Sequence, residues 1–129
     1  TKAALDKTDI LYMGPGHTFY LHEHMKKSGL FDCIPSFLDR GGIYIGSSAG
    51  SIVASPDIAF IAPMDDPRPG DLDDTKALGL IDKPFVPHKD HVRMGKAAAE
   101  IAKNNPDAIV LNDNEALIIQ GKKTDIIQS

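Results

Sequence analysis

The stretch that decides the fold is Ile43-Tyr44-Ile45-Gly46-Ser47-Ser48-Ala49-Gly50-Ser51-Ile52-Val53-Ala54. Its first three residues are a β-prone apolar run, which gives way at once to Gly-Ser-Ser-Ala-Gly-Ser. Ile52 to Ala54 then continue as a short helix, stopped at Ser55-Pro56 because a residue before proline is driven out of the helical region. A strand feeding a helix through so tight a turn is a unit of an α/β protein. It also leaves Ser48 with small residues two before and two after it, in a G-x-S-x-G pattern. A serine held there adopts a strained backbone that pushes its hydroxyl outward, and larger flanking residues would collide. Ser47 and Ser51 lack such flanks. The turn further sets the Ala49 N–H at the start of a helix, where an oxyanion would be stabilised.

Five residues of this kind also recur by chance, as a small-residue turn or as a phosphate-cradling loop at a helix N-terminus. The phosphate alternative lacks support, since no Lys-Ser/Thr follows and no G-x-G-x-x-G is present.

Upstream of the turn, Asp9 to Gly14 reads as a buried strand and Gly14-Pro15-Gly16-His17 as a turn. Thr18 is an N-cap candidate for a helix carrying Phe19, Leu21, His22 and Met25 and closed by Gly29. A second helix is expected over 32–40, with Ile34, Phe37 and Leu38 inward and Pro35 in its first turn. Downstream, the Pro-, Asp- and Gly-rich stretch 57–74 reads as a long surface loop. Short extended pieces follow at 77–81 and 85–88, then a helix over 94–105 with Ala98, Ile101 and Ala102 on one face. Ala108 to Leu111 is a further buried strand, and 116–120 with 124–127 a β-hairpin. Continuous apolar strands alternating with helices imply an α/β fold, mainly a parallel sheet covered by helices on both faces. Chemistry in such sheets sits at the carboxyl ends of the strands.

The 129 residues suit a single domain, with 42% hydrophobic and 25% charged residues, enough for a real core. A net charge of -4 without a Lys/Arg cluster gives no electrostatic reason to expect nucleic acid or an anionic membrane as partner. The single cysteine, Cys33, excludes an internal disulfide and a cysteine-based zinc site, and fits a reducing cytoplasm. No apolar run approaches the roughly 20 residues of a membrane helix.

A serine nucleophile needs a base, usually histidine. His22 and His24 lie on the first helix and read as solvated surface residues. The pair His88 and His91 with Asp90 lacks a clear further ligand for a metal. His88 follows an apolar run and a proline, where a strand end would deliver it to the catalytic edge, and is the preferred base. Asp113, Glu115, Asp90 or a loop aspartate could orient it, and spacing does not choose among them.

Three segments together, Tyr12 to Leu21, Tyr44 to Gly50 and Val86-Pro87-His88, resemble successive motifs of the peptidase E family, the aspartyl dipeptidase family of serine peptidases that includes cyanophycinase. The resemblance covers nearly the whole chain and implies a class I glutamine amidotransferase-like fold, with serine in place of the amidotransferase cysteine. It implies a Ser48-His88-Glu115 triad, oxyanion donors at the N–H groups of Gly16 and Ala49, and no cofactor or metal. Family members carry three glycines and an asparagine where this chain has Gly14-Pro15-Gly16-His17, so His17 sits beside the substrate. For the arginine that grips an acidic substrate group, Arg93 is the nearest match and Lys89 a weaker one. The resulting expectation is one catalytic domain over 1–129, belonging to a longer family domain. It would hydrolyse small peptides through an acyl-enzyme, with a peptide substrate as its partner and a homo-oligomer allowed. An inactive ligand-binding relative and an acyl esterase or transferase are the rival readings.

Overall fold

A computed structural model describes all residues, 1–129. Its elements run α1 (Lys2–Asp6), β1 (Ile10–Met13), α2 (Thr18–Lys27), α3 (Leu30–Asp39), β2 (Ile43–Gly46), α4 (Ala49–Ile52), β3 (Phe85–Val86), α5 (Gly95–Asn104), β4 (Ile109–Val110), β5 (Glu115–Gln120) and β6 (Lys123–Gln128). The architecture is α/β with parallel strands and helices. β1 pairs parallel with β2 and β3 parallel with β4, while β5 and β6 form an antiparallel hairpin. These are three two-stranded sheets rather than one continuous one.

The register of β1 on β2 sets Leu11 beside Tyr44 and Met13 beside Gly46, and Met13 belongs to the core together with Phe19, Met25, Ile34, Ile52 and Val53. The alternate positions Ile10, Tyr12, Ile43 and Ile45 form the other face of the pair and are exposed. Helices α2 and α3 pack against each other, and α4 packs on both β1 and β2. α5 covers β3, with Ala98 and Ile101 fully buried.

Three local readings are corrected. α3 starts at Leu30, because Gly29 in a left-handed conformation (φ 82°) joins it directly to α2. Pro35 therefore lies inside the helix rather than in its first turn. A proline there removes one backbone bond, and the helix persists because Ile34 and Phe37 are buried on its inner face. The stretch 57–74 is not wholly a surface loop: Ile58, which precedes a single 3-10 turn (Ala59–Ile61), and Ile61, which ends it, are fully buried. His22 is also no solvated surface residue. It is 4% exposed, bonded through Nε2 to the Lys76 carbonyl at 2.7 Å and set edge-on to Phe31.

The segment from Asp65 to Lys76 is strapped along α2. Thr18 donates its backbone N–H (2.9 Å) and its hydroxyl to Asp65, capping the first turn. His17 is therefore the helix's boundary residue, and Thr18 its first helical one. Lys26 pairs with Asp74 and Arg68 with Glu23, exposed ion pairs that add little stability.

Candidate active site

The strand-to-helix turn is fixed by steric exclusion. A Cβ built on Gly46 would lie 2.5 Å from the Gly50 carbonyl oxygen, and one on Gly50 would run into the carbonyl of Met13. Both positions therefore admit only glycine without movement of the backbone. Ser48 between them has φ 53° and ψ −111°, a conformation that L-residues avoid and that costs about 1–3 kcal/mol where it persists.

A close set of hydrogen bonds adds to that exclusion. The Ser47 N–H donates to Met13 at the end of β1 (2.9 Å), and the Ser51 hydroxyl donates back to the Gly46 carbonyl (2.8 Å). The Tyr44 hydroxyl donates to the Gly50 carbonyl at 2.6 Å. Burial pushes the Tyr44 phenol up, well above its ordinary value, so it remains a neutral donor.

His88 arrives from the other parallel pair. It follows β3 and Pro87, and it too has positive φ, 68°. The Leu111 N–H donates to Val86 at 3.0 Å, and the Lys89 N–H donates to Leu111 at 3.1 Å. These bonds bring the end of β4 alongside the histidine. The result is a line of three groups: Ser48 Oγ lies 3.0 Å from His88 Nε2, and His88 Nδ1 lies 2.6 Å from Asp113 Oδ1. The His88 side chain is 16% exposed, whereas that of Asp113 is 55% exposed.

Glu115, the carboxylate expected from the resemblance, makes no hydrogen bond to His88. Its Oε1 accepts the backbone N–H of Asn112 at 2.8 Å. The difference has a local cause. Residues 112–115 form a turn that throws Asp113 toward the imidazole and folds the Glu115 side chain back onto the turn's own first N–H. Asp113 was visible in the sequence as one of several carboxylates, but a two-residue offset within a turn carries no periodic signal.

The remaining expected residues divide. Ala49 opens α4 directly after Ser48, and Gly16 lies in the β1–α2 turn with φ 145°. His17 is turned toward the strap, with Nε2 2.9 Å from the Asp66 carbonyl. Arg93 is exposed, and its backbone N–H donates to His91 Nδ1 at 3.1 Å. Lys89 is exposed as well.

Ser48, His88, Asp113 and Glu115 border a cleft of about 940 Å³ between β2 and the β5–β6 hairpin. Arg93, Lys89 and His17 are not among its walls. No three His, Cys, Asp or Glu side chains converge in an arrangement suited to a metal ion, and no helix is long and apolar enough to cross a membrane.

An α/β fold that carries a hydroxyl, an imidazole and a carboxylate in one hydrogen-bonded line, beginning on a strained strand-to-helix turn, has the layout of a hydrolase. The profile of Peptidase family S51 matches residues 1–127, and the chain belongs to that family. It is 32% identical to an uncharacterised peptidase of Listeria innocua, over 95% of this chain and 65% of the relative. Peptidase E of Salmonella arizonae is 36% identical over 66% of this chain and 36% of its own length. A crystal structure from Listeria monocytogenes EGD-e, provisionally described as a peptidase E protein, superposes with a TM-score of 0.90 at 29% identity. That match covers 99% of this chain and 63% of the other. The chain thus spans less than two thirds of the length of each of these three proteins.

Proposed function

We propose that the chain carries the catalytic centre of a serine-type peptidase that hydrolyses small peptides through an acyl-enzyme. The observation that carries this reading is the 3.0 Å approach of Ser48 Oγ to His88 Nε2, from a residue held in a strained backbone conformation at the strand-to-helix turn. Membership of Peptidase family S51 supports it.

In the reaction, Ser48 Oγ attacks the scissile carbonyl carbon while His88 Nε2 takes the hydroxyl proton. Asp113 accepts the Nδ1–H bond, which selects the tautomer with a free Nε2 lone pair and stabilises the imidazolium that forms. The oxyanion is received by the N–H of Ala49 at the head of α4 and by that of Gly16. Each such donor lowers the barrier by about 3 kcal/mol. The C–N bond then breaks as His88 returns its proton to the departing amine. Water enters and gives a proton to His88 as its oxygen attacks the acyl carbon. The C–O bond to Ser48 then breaks and His88 passes that proton to Oγ, which frees the acid product and restores the hydroxyl.

The direct test is turnover of a dipeptide panel by the wild type and by Ser48→Ala. We expect kcat to fall by roughly 10⁴-fold or more, the scale seen when a triad serine is removed. Equal turnover by both proteins contradicts the proposal.

A further inference from the structure

We infer that Glu115 is a positioning residue, which acts through Asp113 by closing the turn that aims it at His88. The inference rests on the proposed Ser48-His88-Asp113 relay and deepens it. Two observations carry it. First, the turn is closed reciprocally: the Glu115 N–H donates to the Asn112 carbonyl at 3.1 Å, and the Asn112 N–H donates to Glu115 Oε1 at 2.8 Å. Second, Asp113 cannot be fixed by packing, because its side chain is more than half exposed. An exposed carboxylate has free rotamers and loses entropy whenever it is held in one geometry. It stays on His88 Nδ1 only if the backbone beneath it is rigid.

The surroundings agree. At its leading end the turn is tied to the histidine segment, through Leu111 to Val86 and Lys89 to Leu111. At its trailing end the Ser129 N–H donates to Asn114 at 2.9 Å, and Glu115 sits in register with Gln128. The Asn112 N–H, at the head of the turn, has no backbone acceptor. Glu115 is the side chain that satisfies it.

This role needs an acceptor at residue 115 rather than a charge. Glu115→Gln, whose Oε1 still accepts, should keep kcat within about threefold of the wild type and leave the pH profile in place. Glu115→Met keeps the length but removes the acceptor, and should lower kcat by about tenfold to a hundredfold with little change in KM, the scale of a small misplacement of a catalytic group. Asp113→Asn should lower kcat by roughly 10⁴-fold, as expected for loss of the orienting carboxylate.

A second readout does not depend on turnover: the proton NMR signal of His88 Nδ1–H, shifted downfield by its short bond to a carboxylate. It should persist in Glu115→Gln, broaden in Glu115→Met and vanish in Asp113→Asn. If Met disturbs the fold, Glu115→Ala supplies the same comparison. A Glu115→Gln variant as damaged as Asp113→Asn would overturn the inference and make Glu115 the acid. A Glu115→Met variant indistinguishable from wild type in both readouts would overturn it too. Failure of the peptidase reading shows differently, as absent turnover in the wild type with the NMR pattern intact.

Discussion

The two halves of the site are built by different physics. The Ser48 turn is determined by exclusion: Gly46 and Gly50 lie so close to neighbouring backbone that only hydrogen fits, and Ala49, Ile52 and Val53 behind it are fully buried. The Asp113 turn is determined by directed bonds in a region where Asp113 and Asn114 are exposed. A clash within a close-packed interior is expensive to relieve, whereas one hydrogen bond in partial contact with water contributes only about 1 kcal/mol. Ser48 is thus held stiffly and strained, and Asp113 more gently.

That contrast is open to attack, first at its stiff end. Gly50→Ala should destabilise the fold by more than about 3 kcal/mol, because the new methyl meets the Met13 carbonyl and the strand cannot retreat. Urea unfolding measures this, and a loss below about 1 kcal/mol would mean the turn yields easily. Tyr44→Phe removes the bond to Gly50 and should cost about 1–1.5 kcal/mol in the same assay.

A pH series sharpens the second variant. The folded Tyr44 phenol is pushed up by burial, while the unfolded one ionises near its ordinary value of about 10. Its contribution is therefore complete below about pH 10 and is lost as the pH rises above it. The phenylalanine variant should lack that part of the alkaline decline, and an identical decline in both proteins would count against burial of the phenol. The smallest effect has the opposite sign. Ser48→Gly relieves the strained backbone and should raise stability by about 1 kcal/mol, after allowance for the more flexible unfolded chain, while abolishing turnover. A destabilised Ser48→Gly protein would show that residue 48 is not under strain.

How much was legible in the sequence follows the same division. The strand, the turn and the demand for glycine at 46 and 50 could be read directly, because steric rules act between residues close in the chain. The strands ending at Met13 and Val86 were readable as apolar runs, and His88 as the histidine after one of them. Three features escaped for one shared reason. Pro35 within α3, buried His22, and Asp113 rather than Glu115 on the imidazole each depend on what a distant or neighbouring segment does in space. His22 is a core residue because Lys76, 54 positions away, supplies a carbonyl to its ring. Asp113 could be found only by asking which carboxylate a turn directs outward and which it folds back onto its own amide. The Asn112–Glu115 bond is that turn's signature, and no spacing rule announces it.

The most direct measurement on the central claim is labelling with a serine-directed phosphonate, followed by peptide mass mapping, on the wild type and on Ser48→Ala. A single adduct at Ser48 in the wild type, absent from the alanine variant, is the predicted result. An adduct on another residue, or equal labelling of the variant, would contradict it.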